Sequence, residues 1–277
     1  METQKMKNTL ISFVAVTALA VSSASAAVNF TDNFNTNTRG NYNVSVAPAD
    51  VTYGAAAGIS GGGGLAIAAS GSGLPSVVSN AGFTVGTGDT LDMSVFIRKS
   101  AEGYDGSSQL FLGISTNSND SWGGSVGGTF SALGIVVNAF GQIGTRRSVS
   151  GGGNDIGNFA PQAPFSLTNG NWYKLTASLT KPVSGNDWTV SGQFQDWGDG
   201  TAQGATLLTR SPTTVTIADA TFNDALTTTY GEFGIRKPAW SGADNFSIVS
   251  VPEPTTMALC GIGALALAAR RRRLKAS

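Results

Sequence analysis

The 277-residue sequence predicts an all-β protein: an antiparallel jelly-roll sandwich flanked by an N-terminal signal helix and a C-terminal transmembrane helix. Three observations lead there. Residues 27–250 repeatedly alternate apolar and polar side chains with period two, broken by Gly, Asn, Asp and Ser, the signature of strands and turns. Glycine supplies 37 residues and charged side chains only 12%, about half the ~25% of an average soluble protein. Longer apolar runs occur near both ends. The expected organisation is a signal segment over 1–26, a sandwich over 27–250 and an anchor segment over 251–277.

At the N-terminus, Lys5 and Lys7 precede an apolar run from Leu10 to Val21 and a small-residue stretch from Ser22 to Ala27. Ala24-Ser25-Ala26 supplies the A-x-A pattern that signal peptidase reads, so cleavage is expected between Ala26 and Ala27. Within the body, Leu91, Met93, Val95 and Ile97 alternate mostly with polar residues before Arg98-Lys99 closes the run. Tyr173, Leu175, Ala177 and Leu179 alternate with Lys174, Thr176, Ser178 and Thr180. Trp188, Val190 and Phe194 share one face of the next run, and the Pro182–Asn186 connection makes the two runs a hairpin. Further strands are expected near 28–34, 64–69, 108–116, 131–137, 213–218, 229–236 and 243–250. Such one-sided strands bury themselves by packing two sheets face to face. The glycine runs 61–64 and 151–153 read as loop tips. Asp32-Asn33-Phe34 is echoed by Asp244-Asn245-Phe246. The echo predicts neighbouring terminal strands, each burying its Phe while its Asx pair satisfies turn amides.

At the C-terminus, Pro252-Glu253-Pro254 is followed by an apolar run, Thr255 to Ala269, and then by Arg270, Arg271, Arg272 and Arg273. Fifteen residues span roughly 22 Å as a helix at ~1.5 Å each, short of the ~30 Å hydrocarbon core. Snorkelling arginines and local thinning absorb part of that mismatch. The arginine cluster holds its end in the cytoplasm by the positive-inside bias, so the body lies outside and the tail in the inner membrane. This suits a temporary anchor. The tripartite tail resembles the PEP-CTERM sorting signal of Gram-negative bacteria. That resemblance implies recognition of Pro252, Glu253 and Pro254 by an exosortase, a membrane cysteine protease, and release of the body to the cell surface or exopolysaccharide matrix. The protein is then that protease's substrate. The body itself resembles concanavalin-A-like, laminin-G-like sandwiches. The resemblance rests on Phe30-Thr31-Asp32-Asn33-Phe34, Trp172-Tyr173-Lys174-Leu175 and Tyr230-Gly231-Glu232-Phe233-Gly234-Ile235.

Composition narrows the chemistry. There is no histidine, which removes Ser-His-Asp and Cys-His nucleophile activation and imidazole-bound metals. The single cysteine, Cys260, lies in the apolar tail and forms no intrachain disulfide. Residues 27–250 hold ten basic and fifteen acidic side chains, a net charge of −5, which argues against nucleic acid as a partner. Two G-x-S-x-G matches, around Ser60 and Ser125, read as loops, since neither has a histidine base.

The remaining candidates are for binding. Asp196-Trp197-Gly198-Asp199-Gly200 places two carboxylates and an aromatic on a tight loop, a candidate calcium site at Asp196 and Asp199, although turn chemistry explains the same residues. Trp122, Trp197 and Trp240 read either as core or as stacking platforms for sugar rings, whereas Trp172 and Trp188 fall inside strands. The expected function is therefore non-catalytic: an exported surface or matrix protein that binds exopolysaccharide. Two rivals stand beside it, a glycoside hydrolase of the same architecture and a purely structural coat protein. Hydrolysis needs a carboxyl pair, and the body holds two glutamates, Glu102 and Glu232, with thirteen aspartates. Two neighbouring carboxyls in a concave face would favour the hydrolase.

Overall fold

The computed structural model describes residues 28–45, 48–68, 75–101, 109–118, 132–138, 141–149, 152–160, 166–224, 226–236 and 239–251. The signal segment with Ala26 and Ala27, Glu102, Trp122, the Pro252–Pro254 motif and Arg270–Arg273 lie outside those residues, as do both flanking helices. Ala27–Val251 forms one compact unit. Among the described residues no helix is long and apolar enough to cross a membrane.

Among the described residues fifteen strands are formed: β1 (Asn29–Asp32), β2 (Tyr42–Ser45), β3 (Val51–Gly54), β4 (Gly64–Ile67), β5 (Ser76–Thr84), β6 (Thr90–Lys99), β7 (Gln109–Ser115), β8 (Ala132–Asn138), β9 (Gln142–Val149), β10 (Gly152–Ala160), β11 (Trp172–Thr180), β12 (Asp187–Asp196), β13 (Thr206–Thr216), β14 (Thr228–Arg236) and β15 (Trp240–Val251). A single helical turn, α1 (Ala220–Asn223), precedes β14. The strands form two antiparallel sheets. The eight-stranded sheet runs β13-β12-β11-β6-β15-β4-β3, with β1 pairing beside β15, and the seven-stranded sheet runs β10-β9-β8-β7-β14-β5-β2. The protein is an all-β, antiparallel sandwich of jelly-roll type.

The alternation read in the sequence sets which side each strand buries. Leu91, Val95 and Ile97 of β6 are fully buried while Asp92 between them is exposed. Leu175 and Leu179 of β11 and Val190 and Phe194 of β12 meet them from the same side, and β11 and β12 pair as the expected hairpin from Tyr173↔Asp196 to Thr180↔Thr189. One glycine pair permits a close approach elsewhere. Gly113 of β7 faces Gly134 of β8, and a Cβ on either would stand 2.7 Å from the Phe111 ring and 2.2 Å from a neighbouring carbonyl oxygen. The run 151–153 is a correction: Gly152 and Gly153 begin β10, since backbone pairing with β9 needs no side chain.

The Asp-Asn-Phe echo places β1 beside β15, with Asp32 opposite Phe246. Phe34 and Phe246 are both fully buried, and Tyr42 stands between them, with ring centroids 5.5 Å from Phe34 and 6.3 Å from Phe246. The Asx oxygens serve the backbone as expected. Asp32 Oδ1 accepts the Phe34 N–H at 2.8 Å, and Asp244 accepts those of Asn245 and Ile59 at 2.7 and 2.8 Å. Asp32 Oδ2 accepts the Tyr42 hydroxyl at 2.9 Å, which with burial drives the phenol's pKa upward.

Burial above all raises the Asp244 pKa, opposed by its two N–H donors and reinforced by the charge of Asp32. The native state therefore holds this proton to higher pH than the unfolded chain does. That contribution to stability is complete below the ordinary aspartate pKa and is lost as pH rises through the raised one. The expected result is that Asp244→Asn flattens this segment of the stability profile. Urea unfolding of both proteins from acid to neutral pH checks it, and identical slopes would refute it.

Candidate functional site

The outer face of the eight-stranded sheet is a lattice of polar side chains, because the phase opposite the buried residues carries them. In register across β15, β6, β11, β12 and β13 stand Ser247, Ser94, Thr176, Gln193 and Thr209. One row on are Val249, Asp92, Ser178 and Ser191, and the next holds Val251, Thr90, Thr180, Thr189 and Thr214. The first two rows line a groove of about 570 Å³ that ends against Ser211 and Pro212. Several of the groups brace one another: the Thr90 and Thr180 hydroxyls lie 2.8 Å apart, and Thr176 Oγ1 accepts the Gln193 N–H at 3.1 Å.

At the β6–β11–β12 end, the next row is Phe96, Lys174 and Gln195, in which Phe96 is buried at 7% exposure. Trp197, half-buried at the end of β12, meets Phe96 edge to face, with ring centroids 5.0 Å apart. The Lys174 ammonium lies 5.3 Å from the Phe96 ring and 5.5 Å from that of Trp197. Burial there lowers its pKa, while the ring faces attract its charge. Trp197 is oriented by an amide relay. Its Nε1–H donates to Gln195 Oε1 at 3.2 Å, and Gln195 Nε2 donates to Gln193 Oε1 at 2.9 Å. An aromatic edge, a cation and a floor of hydroxyls and amides are the groups a sugar uses: C–H faces stack on rings, and hydroxyls exchange hydrogen bonds.

The loop carrying Trp197 is held by turn chemistry. Asp196 Oδ1 accepts the Gly198 N–H at 2.8 Å and Asn171 Nδ2 at 3.3 Å. Asp199 Oδ1 accepts the Thr201 N–H at 3.0 Å and its hydroxyl at 2.7 Å, and the hydroxyl bond leads in holding this carboxylate below its ordinary pKa. Gly198 and Gly200 take positive φ, 54° and 92°. The calcium expectation falls on these two carboxylates. Calcium takes six to eight oxygens, but each carboxylate caps its own turn, and among the described residues no three Asp, Glu, His or Cys side chains gather as a metal group.

Trp240 takes the core alternative of the sequence reading. It is 1% exposed and packs edge-on to Tyr173 and Phe194, with centroids 6.3 and 6.2 Å away, so it belongs to the core and offers no platform. Trp172 and Trp188 are buried, at 3% and 0% exposure. Glu232 is fully buried on β14. Its register row runs Asn43, Val78, Glu232, Gly113, Gly134, Arg146, Ile156 and contains no second carboxyl. Phe96, Lys174, Gln193 and Gln195 were not singled out by sequence reasoning. The available signal was Phe96 itself, an aromatic on the polar phase of β6.

Residues 250–273 match the family description of the PEP-CTERM protein-sorting motif. The chain carries a PEP-CTERM sorting signal. That signal marks export and membrane-anchored sorting. No curated protein matches the chain in sequence. Among solved structures, lectin II from Ulex europaeus aligns at TM-score 0.50 and 10% identity, over 80% of this chain and 98% of that one. An endo-1,3-beta-glucanase from Streptomyces sioyaensis aligns at 0.49 and 13%, over 83% and 98%. A galectin-like protein from Bacillus subtilis aligns at 0.46 and 10%, over 83% and 99%. The likeness to the Ulex europaeus lectin is one of fold alone.

Proposed function

We propose that this PEP-CTERM protein is a non-catalytic polysaccharide-binding module of the cell surface or extracellular matrix. Signal peptidase removes residues 1–26, the tail anchors the body transiently in the inner membrane, and an exosortase-like protease recognises Pro252-Glu253-Pro254. The glycan lies in the outer groove of the eight-stranded sheet, stacks on Trp197, which Phe96 backs, and exchanges hydrogen bonds with Thr176, Gln193, Ser94 and Ser247. The observation that carries this reading is the groove lined by hydroxyls and amides, with the Lys174 ammonium at its edge 5.5 Å from the Trp197 ring. The hydrolase reading needs a carboxyl pair, and Glu232 has none in its row.

The test is retention of the protein on immobilised polysaccharides, with calcium and with chelator, while released sugar is measured. Retention without release, unchanged by chelator, is expected. Trp197→Ala is expected to weaken it about tenfold or more, the equivalent of roughly 1.4 kcal/mol. Sugar release would move the assignment to hydrolysis, and absence of retention on every glycan would leave a structural coat protein.

A further inference from the structure

Among the described residues, four large apolar side chains are exposed: Val183 at 67%, Leu226 at 83%, Val249 at 36% and Val251 at 48%. Val249 lines the groove, and the other three sit toward one end of the sandwich. Val251 pairs with Thr90, and Thr90 pairs with Thr180 at the end of β11. The loop that follows carries Val183 and is tied back by Lys181, whose backbone exchanges hydrogen bonds with Gly88 and Asp89 at 3.0 Å each. The Lys181 ammonium donates to the Asp224 carbonyl at 2.9 Å, and Asp224 Oδ1 accepts the Leu226 N–H at 2.9 Å. The opposite end, where β12 delivers Trp197, is about 30 Å away along nine residues of β11 at ~3.4 Å each.

The chain leaves the fold at the apolar end. Val251 is the last residue of β15, and only Pro252-Glu253-Pro254 separates it from the apolar run that begins at Thr255. Three residues span at most about 10 Å when fully extended. A tail anchored in a membrane keeps Val251 within about that reach of it.

We propose that Val183, Leu226 and Val251 form a docking surface for the headgroup zone of the membrane that holds the tail. The inference rests on the membrane-anchored reading above. Docking fixes the orientation of the anchored protein: the aromatic end of the groove points away from the lipid, toward soluble or matrix glycan. The exposed carboxylates Asp187 and Asp224 share the docking end and repel anionic headgroups, so zwitterionic lipid is the fitting probe.

The full chain carrying Cys260→Ser is given a single environment-sensitive fluorophore, either at Leu226→Cys or at Ala202→Cys beside the Trp197 loop. Each protein is reconstituted into phosphatidylcholine vesicles with and without shallow spin-labelled lipid. Flotation with the vesicles, a blue shift at position 226 and severalfold greater quenching there than at position 202 are expected. Flotation with equal quenching at both positions, or none at either, overturns the docking and leaves the anchor reading standing. Failure to float overturns both. A position-226 probe already shielded before lipid is added, in a concentration-dependent way, also overturns the docking, since a second copy then covers this end.

Discussion

Deleting residues 252–277 is expected to divert the protein to free secretion or the periplasm while leaving its fold intact. The two halves of this result have separate causes. The fold keeps every strand, because β15 ends at Val251, pairs with β6 through Val251↔Thr90 and pairs with β1 through Asn29↔Val249. The chain ends are also tied together directly: Val28 N–H donates to Ser250 Oγ at 2.7 Å, and Ser250 N–H donates to the Val28 carbonyl at 2.8 Å. Localisation changes because the deletion removes nearly all of the sorting match at 250–273, including the apolar run and all four arginines. Fractionation of cells expressing full and truncated chains reads the first half, and thermal unfolding of the released body reads the second. Unchanged localisation would refute the assigned role of the tail. Loss of cooperative unfolding would instead show that the tail supports the body.

The parts of the fold legible in the sequence are those where one face of a strand is buried and the other wet. β6, β11 and β12 meet that condition and alternate cleanly. β5 does not: Ser76, Val77, Val78 and Ser79 are all nearly inaccessible, so both faces look buried and period two disappears. β9 and β10 were hidden by composition. Adjacent Arg146 and Arg147 interrupt the alternation, and the glycine run 151–153 reads as a loop tip, although backbone pairing puts Arg146, Arg147, Gly152 and Gly153 in strands. The tail was legible because its signal is linear, with recognition motif, apolar run and arginines in chain order.

The site was half legible for a related reason. Trp197 stands in a loop whose Asp and Gly content announces a turn, and the turn orients the ring. Nothing in the sequence separates Trp197 from Trp240, since both neighbour small and polar residues. Their difference is tertiary: Trp240 lies over Tyr173 and Phe194 inside the core, whereas Trp197 lies over Phe96 on the outer face. Lys174 and Gln193 come together with Trp197 only through the register of three strands.

Phe246→Ala is expected to produce the largest loss of stability and to leave glycan retention unchanged well below the unfolding transition. Phe246 is fully buried and sits on β15, the strand that joins β6 to both β4 and β1. Its ring lies 5.1 Å from Phe233 of the opposite sheet, 5.9 Å from Phe30 of the first strand and 6.3 Å from Tyr42, centroid to centroid. Truncation therefore opens a cavity where two sheets and the N-terminal strand meet. Phe-to-Ala changes of this kind cost about 3–5 kcal/mol. At about 2–4 °C per kcal/mol for a domain of this size, the transition falls by roughly 10 °C. Binding is spared because the neighbouring residues Ser247 and Val249 face the groove, while Phe246 and Ile248 face the core. Trp197→Ala is the opposite case: it removes a half-exposed ring from the outer face, so binding weakens while the transition moves little. Thermal unfolding and retention measured on both variants separate the two roles. A Phe246→Ala protein that keeps its transition within about 2 °C of the parent, well under the cost of one such cavity, would show that the aromatic cluster does not hold the sheets together.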